Sequence, residues 1–422
     1  MELLLITVGY PYKYSDDMFI KPEMPYLAKT FKKVHVMNTF NESLKYELND
    51  TPYNVHLIPF DSFNQKSGES RRKKAFFYSF FHPFKLTGIF IYELFYLLKR
   101  NKFKYSIINT ALLYLLNANL FAIFLNKYLE QNSQIKLVYT YWYKNETLAA
   151  LICKKCFNLK INCITRTHGG DLYEFRQEYN YQPYKKWMDK NIDNVFFVSK
   201  AGFDYYNNIF ARKNKNKYII SKLGIENPYN PDISTRKASN KKLNIISCSY
   251  MIPEKRINLI IESLSKINEL NIDWFHIGDG AEKELLKYIA NELLSKKNNI
   301  KYTFLGIKDN DSIKKYYNEN YFDCFVSTTS TEGIPVTMME AISFGIPLIS
   351  SNVGGVPEIV NNETGILLDP DNCVEELINA LIFLSKMSDS ETETLRKSCR
   401  SYWENNYRAE TQYPKFIEYL IN

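Results

Sequence analysis

Two carboxylates, Glu332 and Glu340, bracket a glycine and a proline in the string EGIPVTMME. A short apolar run ending at Ser327 precedes them, so the segment reads as strand, loop and helix start, with Pro335 at the first helical position. Gly333 permits close approach of backbone to a ligand. The N–H groups near Gly333 and Ile334, at the positive end of a helix dipole, favour a phosphate. Glu340, about one and a half turns into the helix, suits the paired hydroxyls of a ribose. Glu332 reaches hydroxyls of whatever lies beyond the phosphates. A Glu pair at this spacing is weak by itself, because a helix cap plus a solvated glutamate accounts for it equally well.

Other strings share this character. Ser249–Ile261 (SYMIPEKRINLII) sets two cations, Lys255 and Arg256, side by side at a loop-to-helix junction, where an arginine can clamp a phosphate or simply be solvated. His276–Gly280 (HIGDG) places Gly278 and Asp279 in a tight turn. It lacks the rest of a dinucleotide fingerprint, which argues against a nicotinamide site. In the other half of the chain, Arg166–Tyr173 (RTHGGDLY) sets His168 and Asp171 around two glycines at a strand end, and Gly9–Tyr14 (GYPYKY) follows the first apolar run. His168 is a candidate polar group at the mouth of a sheet, with Gly9, Tyr10 and Asp171 as further lining. Ser199 reads better as a helix N-cap.

The elements that must hold these residues alternate along the whole chain. Leu3–Val8, Lys33–Met37, Val55–Pro59, Ser106–Asn109, Leu137–Tyr141, Asn162–Arg166 and Val195–Val198 read as buried strands, most of them followed by helical patterns. Tyr218–Leu223 follows, then a polar stretch from 226 to 242 that reads as a linker. A second series then restarts with Leu243–Cys248, Trp274–Ile277, Tyr302–Leu305, Cys324–Ser327, Pro347–Ser350 and Gly365–Leu368. The expected class is α/β, with two doubly wound Rossmann-like domains. A length of 422 residues accommodates both.

Taken together, E-G-x-P-x-x-x-x-E-A, the following G-x-P-L-I and G-G-x-x-E-I-V resemble the family-4 retaining glycosyltransferases, and residues 243–370 follow that pattern closely. The resemblance implies the GT-B architecture, with two domains facing across a cleft. It divides the chain into an acceptor-binding domain (1–225), the linker, a nucleotide-sugar-binding domain (243–400) and a terminal segment (401–422). Trp403, Phe416, Ile417 and Leu420 of that last segment are expected to pack back on the first domain. The implied activity is transfer of a hexose-type sugar from a nucleoside diphosphate to an acceptor hydroxyl of a lipid-linked or surface glycan. Glu332 would contact the donor sugar, Glu340 the ribose, Lys255 the diphosphate, and His168 the reacting sugar or acceptor. Many members carry an arginine where this chain has Tyr250, so Arg256 is the candidate for the second phosphate cation. Alternatives of the same fold are a sugar-nucleotide epimerase and a non-catalytic sugar-binding subunit.

The bulk properties narrow the partners. Net charge is +8, a mild preference for anions and no nucleic-acid signature. Seven irregularly spaced cysteines suggest reduced thiols. Cys153 and Cys156 form a CxxC without a convincing third and fourth ligand, so no metal and no cofactor is expected. Residues 66–104 carry ten Lys/Arg against Glu69 and Glu93, interleaved with aromatics such as Phe76, Phe77, Phe90 and Phe95. That mixture suits an anionic membrane surface. MELLLITVGY reads as a buried strand and no run reads as a spanning helix, so the expected location is cytoplasmic, peripheral at the inner face of a membrane.

Overall fold

A computed structural model describes residues 1–12, 17–39, 50–58, 83–210, 216–234 and 242–421. The chain divides into two compact units, 1–221 with 415–422, and 222–414.

In the first unit the strands are β1 (Glu2–Thr7), β2 (Lys33–Asn38), β3 (Val55–Ile58), β4 (Ile135–Thr140), β5 (Asn162–Thr167), β6 (Asn194–Phe197) and β7 (Tyr218–Ile220). Its helices are α1 (Asp17–Ile20), α2 (Met24–Thr30), α3 (Pro83–Lys99), α4 (Tyr105–Gln131), α5 (Asn145–Cys156), α6 (Lys185–Asn191) and α7 (Lys200–Ile209). The sheet order is β3-β2-β1-β4-β5-β6-β7, with every pairing parallel. Alternate residues serve opposite faces. Leu3 and Leu5 join Val34, Val36 and Tyr139 in one cluster. Leu4 and Ile6 join Val138, Val195 and the α4–α5 side chains in another. Burial on both faces explains why these strands are near-continuous apolar runs. Ser199 caps α7 by accepting the Gly202 N–H at 3.1 Å, as its sequence position suggested.

In the second unit β8 (Lys242–Cys248), β9 (Asn271–Ile277), β10 (Ile300–Gly306), β11 (Cys324–Ser327), β12 (Leu348–Ser351) and β13 (Gly365–Leu368) form a sheet ordered β10-β9-β8-β11-β12-β13. The pairings are again parallel. Around it lie α8 (Ile257–Lys266), α9 (Lys283–Leu294), α10 (Asn310–Glu319), α11 (Val336–Ser343), α12 (Cys373–Ser385) and α13 (Asp389–Asn406). A last helix, α14 (Ala409–Ile421), begins in this unit and ends in the first.

Three expectations change. Ser106–Asn109 is not a strand but the first turn of α4, because a short apolar run within a longer one does not distinguish strand from buried helix. That 27-residue helix is also long and apolar enough to cross a membrane by length and composition alone, contrary to the sequence reading. Its Ile107, Ala111, Leu115, Ala118 and Leu125 lie in the core of the first unit. The return to the first unit falls at Lys415 and not near 401. Phe416, Ile417 and Leu420 pack in the Leu3–Leu5 cluster, whereas Trp403 is buried in α13 of the second unit.

Arg166 shows how the first core tolerates charge. Its guanidinium meets the Glu23 carboxylate at 2.5 Å with both side chains wholly buried, donates to Ser221 Oγ at 3.1 Å, and lies 4.1 Å from the centroid of the Phe416 ring. The group is committed to the fold. Removing one partner of such a pair leaves an uncompensated buried charge, so Arg166→Met should lose about 3–5 kcal/mol of stability in urea denaturation. Adding Glu23→Gln should recover part of that loss.

Candidate functional site

Open parallel sheets bind ligands outside the carboxyl ends of their strands, at the point where strand order reverses. In the second unit that point lies between β8 and β11. The loop after β8 carries Ser249–Arg256 and the loop after β11 carries Thr328–Pro335, so topology alone brings Lys255 and Glu332 together. Their side chains form an ion pair, Lys255 Nζ to Glu332 Oε2 at 2.5 Å, about one-fifth exposed on each side.

The loops are zipped by backbone. Ser330 N donates to Glu254 O at 2.8 Å, and the Thr328 hydroxyl donates to Arg256 O at 2.8 Å. Two glycines press on them from neighbouring strand ends. Gly354, at φ +53°, lies so close that an added Cβ would sit 2.0 Å from the Glu332 carbonyl oxygen. One on Gly278 would sit 1.9 Å from that of Ser249. Among the described residues, the N–H groups of Gly333, Ile334, Val336 and Thr337 donate to no protein acceptor. These are the orphan donors of the α11 N-terminus.

Glu340 sits in α11 beneath this loop and is 1% exposed. Its Oε1 accepts from the Asn310 amide at 3.1 Å, and its Oε2 has no protein partner. Burial pushes this carboxyl up to about 7; Lys314 opposes the shift and Asp311 adds to it. A buried carboxylate oxygen without a donor is costly unless a ligand supplies one. Asn310 carried no signal in the sequence, since an isolated asparagine at a helix start reads as a cap.

Not every residue expected at the site reaches a ligand position. The Arg256 guanidinium donates to Thr328 O, Thr329 O, Pro370 O and Ser351 Oγ at 2.7–3.3 Å. Four of its five N–H donors are thus committed to the ends of three strands, so its main part here is to tie the loops together. Asp279 accepts the Gly280 N–H at 2.8 Å and the Lys283 ammonium at 2.6 Å, and the lysine lowers its pKa. It shapes its own turn.

In the first unit the reversal lies between β1 and β4. There the β4–α5 loop supplies Tyr141, Trp142, Tyr143 and Lys144, and His168 opens the loop after β5. The His168 ring lies 4.5 Å from that of Trp142, 5.0 Å from Tyr141 and 5.9 Å from Phe19, centroid to centroid. Burial pushes its pKa down to about 4, so the imidazole is neutral near neutrality, and its buried Nε2 has no protein partner.

Asp171 works through backbone, accepting the N–H groups of Tyr143 at 2.7 Å and His168 at 2.6 Å. Gly9 O accepts from Tyr12 N and from the Asn38 amide, Tyr10 O accepts the Thr7 hydroxyl, and the Tyr10 ring is buried. Both carbonyls are turned into the fold. Among the described residues no three His, Cys, Asp or Glu converge on a metal position, and all seven cysteines are buried free thiols.

With this geometry, residues 231–405 match the family model of glycosyl transferases group 1. The amylovoran biosynthesis glycosyltransferase AmsK of Erwinia amylovora is 26% identical over 211 residues, covering 48% of this chain and 50% of that protein. The putative colanic acid biosynthesis glycosyltransferase WcaL of Escherichia coli strain K12 is 24% identical over 203 residues, covering 46% and 49%. The chain thus spans about half the length of these curated relatives. Among solved structures, the apo lipopolysaccharide outer core galactosyltransferase WaaB is similar with a TM-score of 0.68 at 12% identity, over 100% of this chain and 99% of that one. At that identity the likeness concerns fold alone, which is GT-B.

The Glu340 environment yields a pH dependence. Its folded pKa, about 7, lies above the usual 4.5. The ligand-free fold therefore binds this proton more tightly than the unfolded chain does. The associated stability is complete below about pH 4.5 and is lost as pH rises through about 7. Urea titrations should show the second unit weakening between about pH 5 and 8, by on the order of 2–3 kcal/mol at most. Glu340→Gln should flatten that slope.

Proposed function

We propose that the chain transfers a sugar from a nucleoside diphosphate to an acceptor hydroxyl, with retention of anomeric configuration, in the building of a surface polysaccharide. One arrangement carries this reading. At the β8/β11 reversal, a lysine, four undonated N–H groups and a buried carboxylate with an unpartnered oxygen converge from a family-matched segment. The names of the relatives favour polysaccharide assembly. The solved Anabaena HepE, of TM-score 0.64 at 14% identity over 100% of this chain and 99% of that one, was captured with UDP and glucose, which makes UDP the first nucleotide to test.

In this reading Glu340 accepts hydrogen bonds from the ribose hydroxyls. Lys255 and the N–H groups from Gly333 onward hold the diphosphate. Glu332, released from Lys255, turns to the hydroxyls of the donor sugar. As the bond from the anomeric carbon to the phosphate oxygen breaks, negative charge grows on the diphosphate, where fixed N–H groups and the ammonium stabilise it. The acceptor oxygen attacks the same face, and its proton passes to the leaving phosphate oxygen. His168, neutral and with its buried Nε2 unpartnered, offers a hydrogen bond to a sugar hydroxyl. No metal is assigned a part.

We place the enzyme in the cytoplasm, at the inner face of a membrane. Of the basic, aromatic stretch 66–104, residues 66–82 lie outside the described residues. In the rest, Ile91, Phe95, Leu98, Phe103 and Tyr105 are exposed beside Lys99 and Lys104. Apolar side chains flanked by lysines suit an anionic bilayer surface.

The Lys255–Glu332 pair gives two opposite expectations. In thermal-shift titration, Lys255→Met should weaken UDP by roughly 10- to 100-fold, the value of a charge-assisted contact. Glu332→Gln, which removes the competitor for Lys255, should bind UDP as well or up to about fivefold better, yet fail in transfer. Unchanged UDP binding by Lys255→Met, or undiminished transfer by Glu332→Gln, refutes the assignment. An inverted anomer by NMR of the product refutes retention, and a donor isomerised without acceptor marks an epimerase. For the membrane, liposomes rich in anionic lipid should float the wild type. The triple change Phe95→Ser, Leu98→Ser and Phe103→Ser should stay at the bottom; equal flotation of both sinks the proposal.

A further inference from the structure

The residues after β4 are not accounted for by donor binding. Tyr141, Trp142, Tyr143 and Lys144 stand at the β1/β4 reversal, where an open parallel sheet takes its ligand. Trp142 is half-buried, and the exposed Lys144 places Nζ 5.4 Å from the centroid of its indole.

The loop is anchored on both sides of Tyr143. Asp171 accepts the Tyr143 N–H at 2.7 Å, and Lys185 donates to the Tyr143 carbonyl. Lys185 is itself buried, with Nζ 3.7 Å from the centroid of the Tyr143 ring. The Tyr141 hydroxyl donates to Phe19 O at 3.3 Å. Trp142 packs against the core beside Phe19 and Tyr141 yet keeps part of its indole at the surface, next to the exposed Lys144, so a firmly held segment still offers both groups for a contact. The second sign is His168. Its ring is 4.5 Å from Trp142, and its Nε2 is buried without a protein partner.

We propose that this loop is a subsite for an anionic pyranose, with Trp142 as the face on which the ring stacks, Lys144 as the partner of the anion and His168 Nε2 as the partner of a ring hydroxyl. A pyranose has an apolar face of C–H groups and a polar rim, which matches an indole bordered by hydrogen-bonding groups. On binding, the ring takes the indole face that the ammonium now borders, leaving Lys144 at the rim beside the anionic substituent. The substrate class is a glycosyl unit carrying a phosphate at its anomeric oxygen or a carboxylate on its ring. This inference rests on the transferase reading for its role, that of acceptor, but not for its chemistry.

The test uses the full chain labelled with 5-fluorotryptophan. The four tryptophans give separate fluorine resonances, and Trp142 is identified by its loss in Trp142→Phe. The probes are pyranose 1-phosphates of glucose, galactose and N-acetylglucosamine, methyl glucuronide, the neutral methyl pyranosides, and inorganic phosphate. The expected result is a saturable shift of the Trp142 resonance alone with at least one charged sugar. Affinity should fall roughly tenfold or more in Lys144→Met, and the matched neutral sugar should bind correspondingly less well. A response to a 1-phosphate and not to the glucuronide names a phosphate as the anion, and the converse names a ring carboxylate. An unmoved Trp142 resonance across the panel overturns the subsite, as does an equal shift with inorganic phosphate alone. So does charged-sugar affinity unchanged by Lys144→Met. The other three resonances report whether each variant is folded. UDP binding, followed in parallel by thermal shift, separates the two proposals: normal UDP binding with a silent Trp142 rejects the subsite alone.

Discussion

The carbonyl oxygen of Glu332 lies where no side chain on Gly354 could coexist with it, and the same holds for Ser249 and Gly278. These contacts fix the two loops that end β8 and β11. Because a Cβ at either glycine would meet backbone and not the end of a flexible side chain, the loops cannot yield cheaply. Arg256 then ties the same loops to the ends of β11 and β13 through carbonyls and to β12 through the Ser351 hydroxyl. The backbone around the Lys255–Glu332 pair is therefore set before any ligand arrives. What stays adjustable is the Lys255–Glu332 pair, whose side chains remain about one-fifth exposed. In the proposed reading, a preorganised backbone with an exchangeable ion pair would let a diphosphate enter by replacing one carboxylate with another anion, with no reorganisation of the loops.

Much of this was readable in the amino-acid string, because the physics was local. Buried parallel strands demand apolar runs, and all but one of the runs read as strands are strands. The donor-site motif is local in the same sense: glycine, proline and two glutamates within one loop and helix. What the string concealed depends on residues far apart in it. Arg256 reads as a phosphate ligand until β8, β11, β12 and β13 are seen side by side, since its acceptors at 328, 329, 351 and 370 are remote in sequence. Asp171 looks like a site residue for the same reason, and its partner Tyr143 is again distant. Asn310 and Lys185 carry no motif at all. The Ser106–Asn109 error is of another kind, since an apolar run inside a 27-residue helix has no feature that excludes a strand.

The two units repeat one topology and arm it differently. Each sheet reverses strand order between its first strand and the fourth strand in chain order, and each offers its ligand the loops at that reversal. In the second unit those loops are glycine-rich, with orphan N–H groups, a lysine and a carboxylate kept protonation-sensitive by burial. Such a surface suits a polyanion joined to a diol. In the first unit the equivalent loops are aromatic, with a neutral histidine at their centre and one lysine at their edge. That surface suits the flat, hydroxylated body of a sugar and neutralises a single anion at most. Strand order determines where a ligand can sit in either unit, and it is indifferent to which ligand that is. The choice is made by a handful of loop residues, so the ligand chemistry of the two units could diverge independently on a shared scaffold.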